Sequence, residues 1–408
     1  MGTGDRPPLQ CNLQISPLLA QGFSGLARVD AAASSLRATD QGAQLQLRLS
    51  QGVPWRAYTL DGPPRLVLDF REVDFSSLKG AEFVQTEQIL GLRFGTVRPG
   101  VSRLVAELAA PLVLVQAAMT VQPETGAAQI NIDLQKADKE TFSEMSGVLR
   151  DPAFDLPDSA APPAAPAPAL GDGPVIVVLD PGHGGIDPGA ERGGESEKNL
   201  MLAFARELRD TLRRLGGFEV VLTRDDDRFV SLERRIAIAH QARAHVFLSL
   251  HADALGQGQG QASGATVYLL DRNASDEATR LLAERHDRDD LVSGIDLRGQ
   301  DDVIADILMD LARQETGPRA ELLAQSLVAG MQQAGGPVNS HPIRRADFSV
   351  LKAADIPSVL VEVGFLSSPR DLKNLTNPEW RLGMAQAIAR GIQAWVIADL
   401  ARAGLRRR

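Results

Sequence analysis

The chain has 408 residues, of which 44% are hydrophobic and 23% charged; it is too long for one ordinary core, so two globular domains are expected. Its net charge of −9 excludes general affinity for nucleic acid or for anionic membrane surfaces. The single cysteine, Cys11, excludes an intramolecular disulfide and a thiolate-rich metal site, so any metal must be held by histidine and carboxylate.

Residues 1–34 read as a poorly ordered N-terminal segment. The weakly apolar run 15–27 is interrupted by Pro17, Gln21, Gly22 and Ser24, and no basic region precedes it, so no standard secretion signal is visible. No run reaches the roughly 18 apolar residues of a membrane span. Over 35–140 the pattern has period two. Leu45, Leu47 and Leu49 alternate with polar residues, Leu66, Leu68 and Phe70 with Val67, Asp69 and Arg71, and Ile130, Ile132 and Leu134 with Asn131 and Asp133. Turn signals such as Asp61-Gly62-Pro63-Pro64 and Arg98-Pro99-Gly100 punctuate these runs. A small all-β sandwich is expected here. It holds no histidine and no clustered carboxylates, which assigns it to binding rather than chemistry.

Residues 141–173 form a linker whose alternating alanine and proline favour an extended, semi-rigid spacer. From 174 to 408 strands and helices alternate. Strands are expected at 175–179, 218–222, 246–250, 265–270 and 359–363, and helices at 197–215, 231–241, 319–333 and 379–400. This α/β domain should contain a mainly parallel sheet flanked by helices on both faces.

Three polar residues fall at the ends of apolar strands: His183 after VIVVLD, His251 after VFLSL, and Glu362 within SVLVEVGF. Parallel strands would project all three from one sheet edge, where open α/β sheets bind ligands, and Glu197 is near in sequence to His183. Zinc suits such a set. It accepts two imidazoles and a carboxylate, keeps a fourth position for water, and lowers that water's pKa to about 7. Glu362 would then take the water's proton and pass it to a leaving amine. The alternative for Glu362 is a buried carboxylate paired with Arg344 or Arg345.

The motifs VVLDPGHGG, GGESEKNL, VFLSLHADA and SVLVEVGFLSSPRD resemble those of the zinc-dependent N-acetylmuramoyl-L-alanine amidases, in the AmiC-like branch that carries an N-terminal β-sandwich (AMIN) domain. The resemblance implies zinc ligands at His183, Glu197 and His251, with Glu362 as the catalytic acid and base. It implies hydrolysis of the amide between N-acetylmuramic acid and L-alanine in peptidoglycan, a periplasmic site of action, a wall-binding N-terminal domain and a role in splitting septal wall. Two rival functions are a zinc peptidase or deacetylase acting on another wall amide, and a noncatalytic wall-binding scaffold.

Other polar residues receive plainer readings. Glu191 and Glu195 compete with Glu197 by proximity alone. Asp187 and Asp253 are expected in supporting or turn positions, and His240, His245, His286 and His341 in structural or solvent-facing ones. Asp180 is expected to orient His183. The insertion 271–317 holds 13 acidic residues against 6 basic ones, with Asn273 or Ser275 able to cap a helix bearing Asp276 and Glu277 in its first turn. It reads either as a solvated acidic hairpin or as a lock. Members of the resembled branch are held inactive by such a helix until a partner protein releases it. That implies an activator here, with Glu284 as the expected inhibitory fourth ligand and Glu277 second.

Overall fold

The computed structural model describes residues 26–71, 73–78, 83–98, 101–122, 125–147, 168–254, 262–292, 303–353 and 355–406. The chain forms two compact units, each with its own core.

In the N-terminal unit a five-stranded sheet has the order Leu112–Val121, Ala128–Lys136, Gly42–Leu49, Ser35–Ala38, Val84–Gln85. A four-stranded sheet has the order Trp55–Leu60, Arg65–Phe70, Val101–Leu108, Ile89–Arg98. Leu45, Leu47, Leu66, Leu68, Phe70, Ile130 and Ile132 share one core, as the period-two pattern requires. Two features differ from the expected boundaries. Ala27 and Val29 are buried in this core, and Ala27–Arg28 pairs with Val73–Asp74, so the unit begins before residue 35. A short helix, Lys139–Met145, capped by Asp138, occupies the start of the expected linker. Residues 1–25 and 148–167 lie outside the described residues.

The strand Arg65–Phe70 is buried on both faces rather than alternating. Asp69 survives there because Arg103 Nε donates to its Oδ1 (2.6 Å) and Arg56 Nε to its Oδ2 (2.9 Å). Burial would raise the Asp69 carboxyl pKa, but the two guanidinium groups outweigh it and hold the carboxyl below its ordinary value.

The second unit is built on a six-stranded sheet ordered Phe218–Leu222, Val175–Pro181, Val246–His251, Ser358–Glu362, Ala265–Leu270, Val338–Ala346. The first four strands are mutually parallel; Ala265–Leu270 runs antiparallel to Ser358–Glu362 and parallel to Val338–Ala346. Side chains alternate between two cores. Val177, Leu179, Leu248, Val359 and Val361 face the helices Glu197–Leu215, Val303–Gln333 and Pro378–Arg406. Val178, Phe247, Tyr268 and Leu360 face the helices Leu232–Gln241 and Glu277–Val292. The insertion is therefore helical and docked: Leu282 and Ala283 are part of that second core. Its cap is Asp276, whose Oδ1 accepts from both Thr279 N and Oγ1 at 2.8 Å, rather than Asn273 or Ser275. No helix among the described residues is long and apolar enough to cross a membrane.

Candidate metal centre

The register of the three central parallel strands decides the placement. Pro181 pairs with Leu250, and His251 with Glu362, so the residues that follow or end these strands meet at one sheet edge. Glu197 enters the same place as the first residue of its helix, after the hairpin Glu191–Arg192/Glu195–Ser196. Glu197 is fully buried, whereas Glu191 is exposed and Glu195 half-buried, which separates the three carboxylates.

His183, Glu197 and His251 each offer one ligand atom within 4.8 Å of the others. His183 Nε2 lies 3.2 Å and His251 Nδ1 3.1 Å from the same oxygen, Glu197 Oε1. Main-chain donors fix that carboxylate, Ala190 N on Oε2 (3.0 Å) and Ala252 N on Oε1 (2.9 Å). Asp187 Oδ2 is 2.7 Å from His183 Nδ1, which makes Nδ1 the protonated nitrogen and leaves Nε2 as a lone-pair donor. Asp187, not Asp180, therefore orients His183. Asp180 is engaged elsewhere, accepting from Thr223 Oγ1, Ser249 Oγ and Arg235 Nη1. Glycine is required at 189: a Cβ there would lie 2.6 Å from His183 Cδ2 and 2.8 Å from Glu197 Oε2, and the residue has φ +65°.

Glu362 is fully buried, and Asp253 N donates to its Oε2 at 2.9 Å. Its Oε1 has no hydrogen-bond partner. The alternative pairing with arginine does not occur, since Arg344 pairs with Asp276 and Arg345 with Glu321. Burial, then the charges of Glu197 and Asp253, raise the Glu362 pKa well above the ordinary carboxylate value. Glu197 goes the other way. Burial would raise it, but His183 and His251 outweigh that and hold it well below. The His251 imidazole is lowered to about 4, chiefly by burial and then by neighbouring His286.

His286 was expected in a structural or solvent-facing position, yet it is buried at this site. Its ring centroid is 4.3 Å from that of His251 and 5.8 Å from that of His183. Its Nε2 lies 3.7 Å from Asp253 Oδ2 and 3.8 Å from Glu362 Oε1. Glu284, the expected inhibitory ligand, is not at the site; its carboxylate is 58% exposed and pairs with Arg280, as does that of Glu277. Helical phase explains the exchange. Leu282, Ala283 and His286 are spaced i, i+1 and i+4 on the buried side, and Glu284 falls on the other. Beside His286, Arg285 Nη1 donates to Ala254 O (2.7 Å), and Asp287 accepts from Ser349 N (3.1 Å) and Oγ (2.9 Å). His240 pairs with Asp355, His245 bridges Ile176 N and Pro168 O, and His341 is exposed.

The donor set fits zinc. Two imidazoles and one carboxylate converge, and three polar atoms there are buried without hydrogen-bond partners: His183 Nε2, Glu362 Oε1 and His286 Nε2. The N-acetylmuramoyl-L-alanine amidase family matches residues 177–394, and the AMIN domain matches 34–134. The N-acetylmuramoyl-L-alanine amidase AmiC of Neisseria meningitidis serogroup B is 32% identical over 378 residues, 88% of each chain. The chain belongs to the N-acetylmuramoyl-L-alanine amidase family. The amidase is also 32% identical to AmiC of Escherichia coli O6:H1 over 86% of each chain. It is 38% identical to AmiA of Escherichia coli K12 over 219 residues, 53% of this chain and 74% of that one.

Proposed function

We propose that this amidase is a zinc enzyme in which His183, Glu197 and His251 hold the metal and Glu362 carries the proton. Its substrate is the peptidoglycan amide that joins the lactyl group of N-acetylmuramic acid to the L-alanine of the stem peptide. The observation that carries this reading is the approach of two imidazole nitrogens to one Glu197 oxygen, with the unpartnered Glu362 Oε1 close by. A zinc ion bound there supplies Lewis-acid polarisation of the scissile carbonyl and lowers the pKa of water to about 7.

The chain's own residues perform the remaining tasks. Asp187 keeps the His183 proton on Nδ1, and Asp253 N pins Glu362 Oε2. Glu362 Oε1 takes a proton from water as the water oxygen adds to the amide carbon. It gives that proton to the amine nitrogen as the C–N bond breaks, releasing a lactyl carboxylate and a free peptide amine. The raised pKa of Glu362 suits a group that must both hold and release the proton.

The same reading makes the helix Glu277–Val292 a plug in the resting enzyme. His286 replaces Glu284 as the blocking residue, lying against Glu362 where water and the substrate carbonyl need room. An activating partner protein would lift the helix. The N-terminal unit is assigned to wall binding and the enzyme to the periplasm, acting in cell separation. The test of the chemistry is Glu362→Gln, which should keep stoichiometric zinc and lose about 10²- to 10⁴-fold in release of dye from labelled sacculi. Substantial residual turnover would remove Glu362 from its role. Mass spectrometry of the muropeptides separates amidase products from those of a peptidase or deacetylase.

A further inference from the structure

Two arginines, Arg224 and Arg235, are buried beside the loop that carries His183. Arg235 Nη1 donates to Asp180 Oδ1 (2.6 Å) and Pro181 O (3.0 Å), and its Nη2 donates to His183 O (2.9 Å). Arg224 Nε donates to Pro181 O (3.0 Å), while its Nη2 donates to Gly182 O (2.8 Å) and to Lys198 O (2.8 Å). The carbonyls of three consecutive residues are thus turned onto two guanidinium groups. Arg224 also ties that loop to the residue following Glu197.

This arrangement is costly. His183 has φ 60°, a strained conformation for a residue other than glycine that persists only where its surroundings impose it. Two like charges are also buried side by side; burial and the neighbouring Arg235 push the Arg224 pKa down to about 10. Asp180 offsets one of the two charges, and the carbonyls of Pro181, Gly182, His183 and Lys198 accept from the pair. The metal site gives the arrangement a purpose, because the loop whose carbonyls the two arginines hold is the one that presents His183 Nε2 3.2 Å from Glu197 Oε1.

We propose that Arg224 and Arg235 are positioning residues for the metal: together they hold residues 181–183 in the backbone conformation that aims His183, and Arg224, through Lys198 O, fixes the spacing of that loop from Glu197. This rests on the zinc reading above. The variants Arg235→Lys and Arg224→Lys keep the charge but lose the fork that reaches several acceptors at once. On the full-length protein, zinc affinity is measured by competition with a chromophoric chelator, and ligand geometry by the visible absorption of the cobalt-substituted form. Each variant should bind zinc roughly 10- to 100-fold more weakly, with a shifted cobalt spectrum. Arg319→Lys is the control. It loosens a comparable pair, Arg319 Nη2 with Asp399 Oδ2 at 2.9 Å, and should leave both readouts unchanged.

Wild-type zinc affinity and an unchanged cobalt spectrum in both variants would overturn the proposal. So would failure of both variants to fold, which would mark the pair as core structure, and so would an equal loss of affinity in the control. A wild-type protein that takes up no zinc would sink the metal reading itself and this proposal with it.

Discussion

If the helix Glu277–Val292 blocks the resting site, weakening its seat should activate the enzyme without touching the catalytic groups. Leu282 is the place to press, since it is 1% exposed and packed in the core with Phe348 and Tyr268, remote in helical phase from the exposed Glu284. Truncating a buried leucine to alanine costs about 2–5 kcal/mol, and at about 1.4 kcal/mol per tenfold this shifts a docked–undocked equilibrium by roughly 30-fold to a few thousand-fold. Leu282→Ala should therefore raise basal hydrolysis of sacculi steeply until the undocked form dominates. His286→Ala should raise it less, because it opens the space beside Glu362 while the helix still covers the site. Both are measured at equal zinc occupancy, with limited trypsin digestion at Arg280 and Arg285 as an independent report of undocking. Unchanged or lower rates in both variants, with faster digestion of Leu282→Ala, would refute the plug.

Asp187→Asn should weaken zinc binding about 10- to 100-fold by loosening His183, read by chelator competition; unchanged affinity would show that the Asp187–His183 contact does not tune the ligand. The N-terminal unit should lose stability in acid. Asp69 has a folded-state pKa below its ordinary value of 3.8, so its contribution is fully present above that value and is lost as pH falls through the lower folded value. Calorimetry of wild type and Asp69→Asn should show the wild-type advantage fading on acidification, and an advantage that persists unchanged would contradict the assignment. Residues 1–150 alone should sediment with purified peptidoglycan, and a fragment that stays in the supernatant would move wall targeting elsewhere.

The strand-end residues were legible because buried parallel strands announce themselves as aliphatic runs, and the residue that ends such a run has one place to go. His183, His251 and Glu362 were found that way, and Glu197 by its position at a helix start. The edge strand Val338–Ala346 was not found: NSHPIRRA carries no apolar alternation, because most of that strand is only half-buried or exposed. His286 is hard to read from sequence for a different reason: charge marks Glu284, while the helical phase set by Leu282 and Ala283 turns the residue two positions later inward. The orienting role of Asp187 needed the loop geometry, since Gly184 and Asp187 exchange main-chain hydrogen bonds that fold the carboxylate back onto His183.

The reversed strand Ala265–Leu270 has a mechanical consequence. Its Thr266 end pairs with Glu362, so the chain leaves the sheet from Leu270 at the end away from the His183, Glu197 and His251 trio and must travel back. The helix that makes the return journey is anchored where it starts, by Arg344 on Asp276 and by Arg345 N on Ser275 Oγ at 2.8 Å. It meets the trio nine residues later, about 14 Å along its axis at 1.5 Å per residue. That is the layout of a hinged lever. A tilt of about 20° about the anchored base would displace His286 by about 5 Å by the same helix geometry, with every strand pairing of the sheet left in place. Were that strand parallel, the chain would emerge beside His251 and Glu362, and moving His286 would mean melting a loop.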